Sequence, residues 1–283
     1  MATQVPNLAD HAIPIRNIQF NRDPGLHPRW WHSGDPVPTA FFNALSCTFP
    51  EGEKFFMDSV RYYRDAVPEE LRAQIKGFVG QEAVHSREHA AFNELATQSG
   101  YDVAPLEGRA KRYLGFGRKR SRIEQLAATV SLEHFTAILA HALLAANSRD
   151  LDGAPQDAVR LWTWHAMEEI EHKAVAYDTF LHVTRDWSGL RRYLLRMRAM
   201  ILATIMLFIA IGGNMGDSYR QDGVSNLKTW LRTIGYMIGS PGVLRRIFLP
   251  YLDYFRPGFH PWQHDDRALL SRAQHMLAMP AAA

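Results

Sequence analysis

Two four-residue spacings in this chain join groups that can hold a cation. One is Glu169-x-x-His172, with His165 one turn before Glu169; the other is Glu82-x-x-His85. On an α-helix, residues three and four apart share a face. His165, Glu169 and His172 therefore point one way, and so do Glu82 and His85. Trp162, Ala176 and Phe180 continue the first stripe; Leu71, Ile75, Phe78, His89 and Phe92 continue the second. Both are buried faces by this pattern. Carboxylates and imidazoles on an apolar face are unfavourable unless something pairs them, and a metal ion does so.

Two isolated glutamates occupy similar settings. Glu53 lies with Phe56, Met57 and Val60, and Glu133 with Leu126, Val130, Ala137 and Ala140. Glu51 competes for the first position, but Glu53 shares the apolar stripe. The order Glu53, Glu82-x-x-His85, Glu133, Glu169-x-x-His172 is that of a two-metal carboxylate bundle, with one Glu from each of two helices and a Glu-x-x-His from each of the others. Two divalent ions would cancel the four carboxylate charges, which otherwise raise one another's pKa. Oxygen and imidazole donors suit iron, with manganese as the alternative. His165 is expected as a seventh ligand. His89 is either a further ligand or a satisfied core histidine. His134 points about 100° away from Glu133 and is expected to pack or to support. Glu168 and Glu171 are expected to face solvent or to pair with Lys or Arg.

Helices must position these groups, and the pattern supplies them. No run of alternating strand residues occurs, so the chain is expected to be all-α. Residues 1–36 read as an arm anchored by Trp30 and Trp31, followed by short helices at 39–48 and 51–65. Pro68, Glu69 and Glu70 open a long helix that runs to Ser99 and stops at Gly100, acids in the first turn suiting the helix dipole. Residues 101–120 read as a basic connection. Ser121 and Glu124 form a capping box for a helix to Asn147. One helix from Pro155 to Arg185 carries the first motif.

Beyond it, five arginines precede the apolar run from Ala199 to Ile211, which is shorter than the roughly 20 residues that span a bilayer. It is read as a buried core helix, with a membrane-dipping or homodimer-interface helix as the alternatives. Helices at 224–239, 242–255 and 264–278 follow. The expected division is an arm and short helix (1–48), the metal bundle (49–185) and a C-terminal helical extension packed on it (186–283).

Composition narrows the class. Hydrophobic residues make up 47% and charged residues 22%, as in a globular chain. A net charge of +3 is too small to argue for nucleic acid. The single cysteine, Cys47, excludes an intrachain disulfide and a cysteine-based metal site. The first residues have neither a basic start nor an apolar stretch, so no signal peptide is expected and a cytoplasmic setting fits.

The segments ALSCTFPEGEKFF (44–56), QEAVHSREH (81–89) and EEIEHKAVAYD (168–178) resemble bacterial proteins known as predicted metal-dependent hydrolases. The resemblance spans most of the chain. The ligand pattern is also similar to ferritin-like di-iron oxygenases. Within them the nearest likeness is to arylamine N-oxygenases, where a His-x-x-x-Glu-x-x-His helix gives one iron an extra histidine, as His165, Glu169 and His172 would here. That second resemblance implies a ferritin-like four-helix core and two irons. It also implies O2 as co-substrate and an external electron donor. The apolar wall around the site suits a small, hydrophobic or lipid-like substrate, and the arginines beside the apolar run of 199–211 make association at the inner membrane surface an option. A two-metal hydrolase of an ester or amide and a non-catalytic metal-binding protein are the alternatives.

Overall fold

The computed structural model describes residues 13–20 and 28–278, and among these the chain is all-α with no strand. Asp35 caps α1 (Pro36–Ser46) by accepting from the Val37 N–H, and every residue of that helix is buried. Trp31 is buried beside it and donates to Asn43 at 2.9 Å, whereas Trp30 stays 36% exposed, so of the two tryptophans Trp31 is the one held in the core. Next come α2 (Phe49–Arg61) and α3 (Glu69–Gln98), which ends where Gly100 takes φ +97°. Helix α5 (Arg122–Leu144) starts at the expected capping box between Ser121 and Glu124. Helices α2, α3, α5 and α6 (Gln156–His172) carry the polar stripes; α2 packs on α3 and α5, and α5 on α6.

Three expectations are corrected. Residues 101–120 are not a loop: they form α4 (Ala104–Arg118), which buries only Leu106 and Ala110. A helix that buries so little carries no apolar stripe to read. The helix expected over 155–185 breaks at Lys173–Ala174 into α6 and α7 (Val175–Val183). The buried Lys173 ammonium sits at the break, 2.6 Å from Asp266 and 2.8 Å from the His264 carbonyl oxygen. A partner almost a hundred residues away bends a pattern that locally favours continuity.

The third correction concerns the apolar run. It belongs to α8 (Gly189–Gln221), which Ser188 caps and which packs on α1, α4 and α5. Met200, Ala203 and Ala210 are buried, but Ile201, Ile205, Phe208 and Ile209 are 46–50% exposed. A helix apolar all round does not tell which side its neighbours will cover. By length and composition both α5 and α8 are long enough to cross a membrane; α5 is mostly buried and α8 mostly is not. Three shorter helices, α9 (Leu227–Ile234), α10 (Val243–Asp253) and α11 (Arg267–Ala278), complete the chain.

Residues 13–20 lie along α3. A Cβ at Gly77 would collide with Ile13 and one at Gly80 with Ile15, so two glycines let the strap approach the helix. Phe20 N–H donates to Glu88 at 3.0 Å, and Arg16 reaches across to α6.

Candidate metal centre

The seven residues singled out by spacing converge. Glu53 comes from α2, Glu82 and His85 from α3, Glu133 from α5, and His165, Glu169 and His172 from α6; none is more than 4% exposed. They form three overlapping groups with candidate donor atoms within 4.8 Å of one another: Glu53, His85 and His165; Glu82, His85 and Glu169; and Glu82, Glu133 and His172. Two glutamates face both ways. Glu82 turns Oε2 toward His85 Nδ1 (3.8 Å) and Oε1 toward His172 Nε2 (3.5 Å). Glu169 turns Oε1 toward His165 Nε2 (3.3 Å) and His85 Nδ1 (3.5 Å), and Oε2 toward His172 Nε2 (3.3 Å). Most of these separations are long for hydrogen bonds but close to the roughly 3.0–3.4 Å between donors sharing one ion at about 2.1 Å.

Each histidine is tied on its outer nitrogen. His85 Nε2–H donates to Glu168 at 3.1 Å, and Glu168 also accepts from Trp164 Nε1 and Arg16, both at 2.9 Å. His172 Nδ1–H donates to Gln81 Oε1 at 3.2 Å, and the Gln81 amide donates on to Glu171 at 2.8 Å. His165 Nδ1–H donates to His89 Nε2 at 3.1 Å. His89 in turn bonds Ser46 (3.0 Å), Ser46 donates to Asn93 (2.6 Å), and Asn93 donates to Glu107 (2.9 Å). Such outer bonds fix tautomer and ring angle, leaving the inner nitrogen unprotonated for an ion. His89 thus orients His165 rather than joining the donor set.

In the metal-free site burial would lower His85 and His172, but the carboxylates against them, Glu168 foremost for His85 and Glu169 for His172, outweigh it and raise both, so an ion would replace a proton on each. Burial, then the neighbouring Glu82 charge, raises Glu53 and Glu133 well above the usual carboxylate range. Burial alone would raise Glu169 as well, but His172 and His165 outweigh it and hold it well below. Burial, then the charge of His85, lowers His165 to about 3, so it stays a neutral donor.

The residues fit a pair of cations by a further test. Glu53 Oε1, both oxygens of Glu82 and of Glu133, Glu169 Oε2, His85 Nδ1 and His172 Nε2 are buried without a hydrogen-bond partner. At roughly 1–3 kcal/mol for each such atom, the set would cost on the order of 10 kcal/mol, comparable to the stability of a whole domain. Cations among them would remove that cost.

Some neighbours were misjudged from sequence. Glu168 does not face solvent: it is fully buried and holds His85, with Arg16 from the strap as its expected basic partner. Glu171 pairs with Arg16 at 2.7 Å. Gln81, Ser86 (2.8 Å from Glu53) and the Ser46–Asn93 relay were not foreseen, because their roles depend on partners far away in the chain. Glu51 pairs with Arg118 at 3.3 Å, leaving the inward position to Glu53. His134 packs against Tyr254 and Phe259, away from the donors.

Comparison with known proteins fits a buried site of this chemistry. The description "predicted metal-dependent hydrolase" matches residues 14–265. The chain belongs to that family. The match takes in the strap from Pro14 onward and α8 and stops at Asp265, before α11, so the family unit extends beyond the four site helices. No curated protein and no solved structure matches the chain. Membership in the family of predicted metal-dependent hydrolases, with buried His and Glu groups able to hold metal, leaves the type of reaction to be argued from chemistry.

Proposed function

We propose that this protein is a two-metal carboxylate enzyme that uses iron and O2 to oxidise an apolar organic substrate. One observation carries the reading: three imidazoles tied on their outer nitrogens surround four carboxylates, two of which present one oxygen to each side. Glu53, His85 and His165 would hold one ion, Glu133 and His172 the other, with Glu82 and Glu169 shared. Donors of oxygen and imidazole type without thiolate suit iron or manganese. When bound, such a pair supplies electrons to O2 and Lewis acidity to the substrate. The two positions are unequal, with two histidines at one and one at the other.

The chain's own residues hold the site dry and in register. Phe49, its ring 4.6 Å from those of His89 and His165, and Phe78, 4.9 Å from His172, wall off water. Inserting one oxygen atom into a C–H bond reduces the other to water and takes two electrons and two protons from a donor outside the chain. A second reading, metal-assisted hydrolysis of an ester or amide, is favoured by the family's description. It needs a fixed Lewis acid and no electron donor.

The two readings separate on O2. The iron-loaded, anaerobically reduced protein is expected to consume O2 stoichiometrically on mixing and to change its visible absorption as iron is oxidised. If the reduced iron form is inert to O2 with and without apolar substrates, while the zinc form cleaves chromogenic esters anaerobically, the oxidative reading fails and the hydrolytic one stands.

A further inference from the structure

A cavity of about 460 Å³ lies between α2, α4, α5 and α8. Its volume falls within the roughly 300–1,000 Å³ of small-molecule sites. The inner wall is the outside of the metal centre: Gly52 and Phe56 flank Glu53, and Leu132 and Thr136 flank Glu133. A second, smaller space of about 50 Å³ touches His165 and shares Phe49, Thr136, Leu45 and Leu139 with the first. Phe49, its ring tilted against that of His165 and lining both spaces, stands between the large cavity and the histidine.

The other end of the cavity is basic. Arg120 and Arg198, both exposed, line it with Glu124 between them in charge. Glu124 is already engaged with Ser121 in the capping box and lies 3.7 Å from Arg198. Two guanidinium groups against one carboxylate leave one positive charge for a ligand. Phe116, Leu202 and Met206, all at least 40% exposed, also line the cavity, so its approach is apolar apart from those arginines.

We infer that the cavity takes a single-chain amphiphile with an anionic head, a long-chain carboxylate, held with its head at Arg120 and Arg198 and its hydrocarbon chain against Phe49, Phe56 and Leu132. An apolar cavity of about 150 Å³ holds the six carbons of benzene. In proportion, this one holds roughly 18 carbons, one chain and not the two of a phospholipid. The head at the mouth leaves only hydrocarbon to face the metal residues. The inference names the substrate class of the site proposed above and rests on that reading for its reaction. Its binding claim stands alone.

The test uses the full chain loaded with Mn(II) under argon, with a dansyl-labelled undecanoic acid as reporter. Hexadecanoate is expected to displace the reporter at low micromolar concentration, hexadecanol at ten-fold or higher concentration, and octanoate weakly. Ala128→Trp on α5 and Ala199→Trp on α8 each fill the cavity from a different helix. Either one that retains the wild-type circular dichroism is expected to weaken binding at least ten-fold with metal content unchanged. Arg120→Ala with Arg198→Ala is expected to bring hexadecanoate and hexadecanol to equal affinity. Equal displacement by acid and alcohol in the wild type, or full binding by a folded tryptophan variant, overturns the inference. Normal metal loading without chain binding sinks this inference alone; chain binding without any metal loading sinks the metal reading alone.

Discussion

Replacing Glu133 by leucine separates what its carboxyl does with and without metal. Both oxygens are buried without partners, the side chain is 2% exposed, and burial keeps the group neutral. A buried polar group left without partners costs roughly 1–3 kcal/mol, which an apolar side chain of similar volume avoids. Leu126, Val130 and Ala137 supply an apolar setting on the same helix. At roughly 2–4 °C per kcal/mol for a chain of this size, metal-free Glu133→Leu should melt about 2–12 °C above the metal-free wild type. Metal acts the other way. Each ion at 100 times its Kd adds about 2.7 kcal/mol, and the variant keeps only the position built on Glu53, His85 and His165. The wild type should therefore gain roughly twice as much from Mn(II), moving it about 2.7 kcal/mol up relative to the variant. Thermal melts with EDTA and with excess Mn(II) read both effects. A Glu133→Leu protein with native helicity that melts below the wild type in EDTA, and gains as much from Mn(II), would refute the reasoning.

Four further outcomes are expected. Elemental analysis of reconstituted protein should find about two Fe or Mn per chain; one zinc, or none of these metals, contradicts the two-position site. His172→Ala should lose metal from one position while circular dichroism stays helical, because the apolar stripes remain; full occupancy of both positions removes His172 from the donor set. Glu168→Ala, which frees His85 Nε2 and leaves Arg16 to Glu171 alone, should lower metal affinity about 10–100-fold, the usual cost of losing a ligand's outer partner, with Glu168→Gln partly restoring it; an unchanged titration endpoint and midpoint contradict the role. The exposed stripe of α8 beside Arg191 and Arg198 should make the protein sediment with anionic vesicles at low salt and release it as salt rises; equal binding to neutral vesicles, or a dimer in sedimentation that hides the stripe, argues against a membrane contact.

Where helix periodicity and burial coincide, the sequence was readable. The stripes placed all seven donor candidates inward, and Glu53 was separable from Glu51 because only one of them shares a face with Phe56 and Val60. The Ser121 cap was local chemistry and came out in place. What failed was long-range. Glu168 looked like a flanking acid, since neither Arg16 nor His85 is near it in sequence. The break after His172 needs Asp266, and the exposure of α8 depends on which neighbours reach it. Helix α4 hid for the opposite reason: it buries two side chains on the body and gives the rest to solvent and to the cavity, so no stripe marks it.

The contact between Arg16 of the strap and Glu168 spans 152 residues of sequence, and that distance is also a time. A ribosome adding roughly 5–20 residues per second leaves Arg16 outside for about 8–30 s before Glu168 is made. Once residue 85 has been made, for about the second half of that interval, Glu82 and His85 are present on α3, yet nothing fixes the His85 tautomer and no α6 carboxylate faces it. The centre therefore cannot be assembled piece by piece from the N-terminus; it comes into being when the sixth helix does. Nascent and truncated chains are the forms in which α3's apolar stripe and its two donors lie open together. In a cell, those unfinished chains are where wrong metals and proteases have their best access to this protein.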